Sequence, residues 1–108
     1  MGGKVIAVHN KAEWDAHHSQ NADKVIIVDF TATWCGPCRM IGPVFEDLST
    51  QFESIIFLKV DVDEVEQVAA SCGISAMPTF QVWQGGKKVD ELVGAAKTQL
   101  EALVKKYA

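Results

Sequence analysis

Two cysteines three residues apart, Cys35 and Cys38 in the run Trp34-Cys35-Gly36-Pro37-Cys38, stand where an apolar stretch ends and a helical pattern begins. At the start of a helix, side chains at i and i+3 lie one turn apart, near enough to close a small disulfide ring without moving the backbone. The first of the pair sits at the helix's electropositive end. Unpaired N–H groups and the helix dipole there favour thiolate over thiol, and thiolate is the form that attacks disulfides. Cys35 is therefore the candidate nucleophile. Between the thiols, Pro37 loses no useful hydrogen bond in a first helical turn and fixes φ. Gly36-Pro37 also carries no ionisable group, so nothing beyond the helix end stabilises the Cys35 thiolate, which suits a reductant better than a strong oxidant.

Taken alone, the same spacing is half of a zinc site. Structural zinc takes four ligands, and His9, His17, His18 and Cys72 lack the second paired spacing. Adjacent histidines on a helix also diverge by about 100°. His17 and His18 are read as an exposed helical face, and no metal is expected.

Three further positions could join the dithiol. Asp29 interrupts the β-branched run Val25-Ile26-Ile27-Val28-Asp29-Phe30, where an unpaired carboxylate is expensive. Either a local hydrogen bond satisfies it, or desolvation raises its pKa and it exchanges protons with Cys38. Lys59 interrupts Phe57-Leu58-Lys59-Val60-Asp61. A neighbouring parallel strand would bring its ammonium toward Asp29, unless the side chain snorkels to solvent. Met77-Pro78-Thr79 stands just before a strand, where proline is tolerated; a cis bond is possible, although trans is the default for an X-Pro bond. Cys72 reads as a half-buried thiol packed as a small hydrophobe, with intermolecular disulfide formation or regulatory oxidation as the minority alternative. Trp14 and Trp83 read as packing residues.

These residues need a scaffold, and 108 residues at 48% hydrophobic content suffice for one domain, residues 1–108, that needs no disulfide staples. Three cysteines are too few for a secreted disulfide framework and leave one thiol over. The N-terminus runs straight into an apolar strand without the marks of a signal peptide. Ile6 replaces the Ser or Thr that myristoylation at Gly2 would want. A formal net charge of −4 gives no basic footprint for nucleic acid, and no run reaches membrane-spanning length. The expectation is a soluble cytoplasmic protein.

Val5 to Val8 reads as a strand, and Asn10 with Glu13 as a capping box opening a helix to about His18. The Val25 to Phe30 run is too continuous for a one-sided strand and predicts a central one covered on both faces. From Pro37, the spacing of Ile41, Val44, Phe45, Leu48 and Phe52 predicts a long amphipathic helix, kinked at Pro43. Ile55 to Val62 reads as a strand and Glu64 to Cys72 as a short helix ended by a left-handed Gly73. Thr79 to Trp83 and Lys88 to Val93 form a hairpin through Gly85-Gly86. A helix over about Ala96 to Tyr107 buries Leu100, Leu103, Val104 and Tyr107. The order βαβαβαββα predicts an α/β domain: parallel strands first, then an antiparallel hairpin, in one sheet between two helical layers.

Val28-Asp29-Phe30, Trp34-Cys35-Gly36-Pro37-Cys38, Pro43, Lys59-Val60-Asp61, Met77-Pro78-Thr79-Phe80 and Gly94 occur in this order over almost the whole chain. The set closely resembles the thioredoxin family, and Phe30-Thr31-Ala32-Thr33-Trp34 with Cys38-Arg39-Met40-Ile41 resembles its eukaryotic cytosolic h type. The resemblance implies a thioredoxin fold, a five-stranded mixed sheet in the order 1-3-2-4-5 flanked by four helices, with a cis Pro78 beside the dithiol. It implies an apolar docking surface of Trp34, Gly36, Pro37, Ala76, Met77, Val93, Gly94 and Ala95, and it gives Asp29 the proton-exchange role. The implied activity is general protein-disulfide reduction by a monomer that needs no cofactor. With no dinucleotide fingerprint, its electrons must come from a separate thioredoxin reductase. The rivals are a disulfide oxidase or isomerase, and a non-catalytic scaffold subunit, on the same fold.

Overall fold

The computed structural model describes residues 4–108; Gly2, and with it the question of myristoylation, lies outside the described residues. The chain runs β1 (Val5–Val8), α1 (Lys11–Gln20), β2 (Val25–Thr31), α2 (Gly36–Gln51), β3 (Ile56–Asp61), α3 (Glu66–Ser71), β4 (Thr79–Gln84), β5 (Lys87–Val93) and α4 (Lys97–Tyr107). The strands form one sheet in the order β1-β3-β2-β4-β5. β1 and β2 both pair parallel with β3, while β4 pairs antiparallel with β2 and with β5. Two-residue hairpin turns need positive φ, and Gly85 and Gly86 supply it at 62° and 77°.

Because strand side chains alternate between faces, each sheet face builds its own core. Ile27, Phe57, Phe80 and Val82 pack on one face with Ile41, Phe45 and Leu48 of α2 and Leu100, Leu103 and Val104 of α4. Ile26, Val28, Phe30, Leu58 and Val60 pack on the other with Trp14 of α1 and Val65 and Val68 around α3. β2 is thus covered on both sides, as its unbroken apolar run requires. On that strand the parity of Ile27 also carries Asp29 to the α2 face.

Several element ends differ from the sequence reading. α1 extends two residues past His18, and α3 starts at Glu66 because Asp61 first turns the chain, its Oδ1 accepting N–H bonds from Asp63 and Glu64 at 2.8 and 3.2 Å. The α1 cap is also modified. Asn10 Oδ1 accepts from the Glu13 N–H at 2.9 Å, but Glu13 reaches back to the His9 N–H rather than to that of Asn10. Gly73 does end the α3 segment with a left-handed φ of 71°. α2 runs continuously through Pro43.

His18 does not belong to an exposed face. One turn beyond Trp14, it shares that residue's inward side, with ring centroids 4.4 Å from Trp14 and 5.2 Å from Trp83. Burial holds its pKa below the ordinary imidazole value, against the opposing charge of Asp15. Trp14 and Trp83 are packing residues, in edge-to-face contact at 5.6 Å.

Candidate active site

The dithiol lies at the junction that follows β2. Cys35 is the N-cap of α2, Gly36 and Pro37 open the helix, and Cys38 completes its first turn. The two are joined as a disulfide with Cα atoms 5.3 Å apart. Cys35 Sγ accepts the Cys38 backbone N–H at 3.2 Å, so the helix end aims one of its unpaired donors at this sulfur. A helix-end donor at a cysteine sulfur is an arrangement that favours thiolate over thiol.

Exposure does not distinguish the two thiols, at 5% and 4%. Their surroundings do. Cys35 lies toward the loop before β4, where its Sγ is 3.8 Å from the Met77 carbonyl oxygen and the Met77-Pro78 bond is cis. Cys38 lines a cleft of about 590 Å³ between α2 and the sheet, shared with Asp29, Glu46 and Lys59.

Asp29 is 3% exposed, and its Oδ1 has no hydrogen-bond partner, so the local hydrogen bond that would have made it merely structural does not reach that oxygen. Desolvation pushes its pKa up to about 7, with Lys59 pulling it down and Glu46 pushing it up. Lys59 stands directly opposite Asp29 in the β2–β3 register. Its side chain reaches solvent, so it acts on Asp29 through charge across the cleft and not through a closed ion pair.

Around Cys35 the structure gathers the remaining predicted residues. Trp34 is 64% exposed and Val93 57%, while Pro37, Ala76 and Ala95 are exposed, Gly36, Met77 and Gly94 partly so, and Pro78 buried. The Gly94 N–H bonds the Pro78 carbonyl at 2.9 Å, and Thr79 pairs with Val93, which fixes the segment after β5 beside Met77-Pro78. Trp34 is held by a bond from its indole Nε1 to Asp63 Oδ2 at 2.8 Å. The sequence reading missed Asp63, since 29 positions separate the pair and no local pattern links them. Met40, one turn from Pro37 on α2, is 79% exposed. Cys72 is free and half-buried, with burial raising its pKa.

A Cys35–Cys38 disulfide at a helix N-terminus, with an apolar rim beside it and a buried carboxyl behind it, defines a dithiol–disulfide exchange protein. The family profile named Thioredoxin matches residues 5–106. An h-type thioredoxin of Chlamydomonas reinhardtii is 56% identical over 111 residues, covering 100% of this chain and 98% of the relative. A thioredoxin of Equus caballus is 46% identical, covering 94% and 96%. Among solved structures, thioredoxin NaTrxh of Nicotiana alata superposes with a TM-score of 0.93 at 42% identity, covering 99% of this chain and 95% of that one. The chain belongs to the thioredoxin family, as an h-type-like member, and its activity is that of a thiol–disulfide oxidoreductase acting as a dithiol–disulfide reductase.

Proposed function

We propose that this chain, as a single domain over residues 1–108 and a cytoplasmic monomer, relays electrons from a thioredoxin reductase to many disulfide-bearing proteins, with its two cysteines in different roles. The observation that carries the division of labour is the contrast in surroundings: Cys35 receives a helix N–H beside the exposed rim, whereas Cys38 shares a cleft with Asp29. The target's disulfide segment lies extended along Met77, pairing with its backbone, while Trp34, Gly36, Pro37, Ala76, Val93, Gly94 and Ala95 supply apolar contact. Cis Pro78 shapes the edge next to Cys35.

The Cys35 thiolate attacks one sulfur of the target disulfide. A Cys35–target bond forms, and the other target sulfur leaves as a thiolate that takes a proton. Asp29 then accepts the Cys38 proton, directly or through water. A pKa of about 7 makes Asp29 half ionised near neutral pH, where a general base works best. The Cys38 thiolate attacks Cys35 Sγ, closing the Cys35–Cys38 disulfide and releasing the second target sulfur as a thiolate that takes a proton from solvent. The target gains two electrons and the dithiol loses them, to be restored by the reductase. Cytoplasmic residence rests on the cysteine usage and on likeness to h-type thioredoxins. Among the described residues no helix is long and apolar enough to cross a membrane.

Reduction of insulin with dithiothreitol as donor tests the roles. Cys35→Ser and Cys38→Ser should each abolish turnover, and Cys38→Ser should accumulate a mixed disulfide through Cys35. Adducts that form through Cys72 instead would refute the assignment. The oxidase reading is tested by equilibrating the couple with glutathione, and a couple able to form disulfides in a substrate would replace the reductase assignment.

A further inference from the structure

The proton accepted by Asp29 is either handed back to Cys38 when the dithiol is restored or passed to solvent, and the cleft beside Asp29 offers a route for the second. On α2, Cys38, Gly42 and Glu46 are spaced i, i+4 and i+8, on successive turns that drift about 40° each around the helix, and all three line the cleft that contains Asp29. Cys38 stands at the inner end of this row. Gly42, in the middle, has no side chain, and a Cβ built there meets no atom within 4 Å, so the row is open where a side chain would otherwise separate Cys38 from Glu46. Glu46, at the other end of the row, is half-buried where Asp29 is buried.

We propose that Glu46 is the outer carboxylate of a two-carboxylate proton route, through which Asp29 returns the Cys38 proton to solvent across the gap left by Gly42. The proposal rests on the proton-accepting role assigned to Asp29 above. In this route the Cys38 thiol becomes a thiolate, Asp29 becomes a carboxylic acid, and that proton passes along the cleft to Glu46 and out. Both carboxylates end the cycle as they began it. Glu46 does not touch the reacting sulfurs and is a positioning residue for the proton.

The charges facing Asp29 come from two elements. Lys59 and Asp61 line the cleft from β3, and Arg39, Glu46 and Asp47 line it from α2, while β4 presents Phe80 across the strand. Arg39 donates to the Thr33 carbonyl at 2.8 Å, and Asp61 is committed to the turn before α3. Asp47 is exposed, one residue off the row. Glu46 is thus the acidic group that combines the row, the cleft and a direct electrostatic effect on Asp29.

The test follows the Asp29 side-chain carboxyl by carbon-13 NMR across pH, and the pH profile of single-turnover reduction of a disulfide target, in the full chain. Glu46→Gln should lower the Asp29 midpoint by roughly half a pH unit and Glu46→Lys by about twice that, because a screened negative neighbour is removed or inverted. The pH–rate profile should move with it. In an Asp29→Asn background, Glu46→Gln should leave the profile in place. An unmoved Asp29 midpoint in both Glu46 variants, or an equal rate effect with and without Asp29, overturns the role of Glu46. An Asp29→Asn protein whose profile matches the wild type overturns instead the Asp29 reading on which this one rests.

Discussion

Replacing Asp29 with asparagine keeps the shape of the side chain and removes its titration, and stability is where the effect can be sized. In the folded protein the carboxyl titrates at about 7 against an ordinary value of 3.8. The folded pKa is raised, so below pH 3.8 both folded and unfolded chains hold the proton and Asp29 costs nothing. Between 3.8 and about 7 the unfolded chain releases it while the folded chain keeps it, and stability falls as pH rises. Above about 7 both have released it and the loss levels off. The interval of about three pH units corresponds to a plateau of about 4 kcal/mol. With Asp29 3% exposed, solvent screening does little to reduce this. Urea denaturation of the oxidised protein from pH 4 to 8 reads the effect. Asp29→Asn should match the wild type within about 1 kcal/mol near pH 4 and exceed it by about 2–4 kcal/mol at pH 8, the spread allowing for how well the amide finds partners. A difference between the two proteins that stays flat across pH would refute the claim that a desolvated, titrating carboxyl sits behind the dithiol.

Lys59→Gln removes the charge that pulls the Asp29 pKa down, so the rate profile for target reduction should shift to higher pH, measured by stopped flow. Val93→Asp places a charge on the apolar rim and should raise KM for a protein disulfide roughly tenfold, equivalent to about 1.4 kcal/mol, with reduction by dithiothreitol unaltered. Asp63→Ala frees the Trp34 indole at a cost of about 1 kcal/mol in docking, or roughly fivefold in KM, accompanied by a change in Trp34 fluorescence. Phe45→Ala, which removes a ring lying 5.2 Å from Phe57 and 5.5 Å from Phe80, should cost about 3–5 kcal/mol in urea denaturation.

What was legible in the sequence follows from the range of the physics involved. Element types and order came from periodicity, which is local, so the central β2 and the long stripe of α2 could be read directly. Gly73 was legible as a cap because a left-handed φ is a one-residue property. The strand order 1-3-2-4-5 was not legible in this way and rested on the family resemblance. Crossovers restrict which strands pair but do not rank them. The ends of α3 escaped because Asp61 satisfies two backbone donors with one carboxylate, a choice that hydrophobic spacing does not record. His18 was misjudged for a related reason. Polar type suggested solvent, but position i+4 from a buried Trp14 decided its environment. At the site, Cys35, Cys38 and Asp29 announced themselves by type and context, whereas the Trp34–Asp63 bond needed the folded loop to exist.

The asymmetry of the dithiol is also tertiary in origin. Two cysteines on one helical turn are chemically alike, and in the fold they are almost equally buried. Their difference arises because α2 begins just beyond the end of the central strand β2: its N-cap, Cys35, faces the loop before β4, and Cys38, one turn on, faces the cleft between helix and sheet. Even register then places Asp29 of β2 on the same sheet face as Phe57 and Phe80, beneath α2, with Lys59 beside it. Moving Asp29 one residue along the strand would turn it to the face packed by α1 and α3, away from Cys38. Strand parity therefore brings the buried carboxyl to the second cysteine, and the helix end points its N–H at the first.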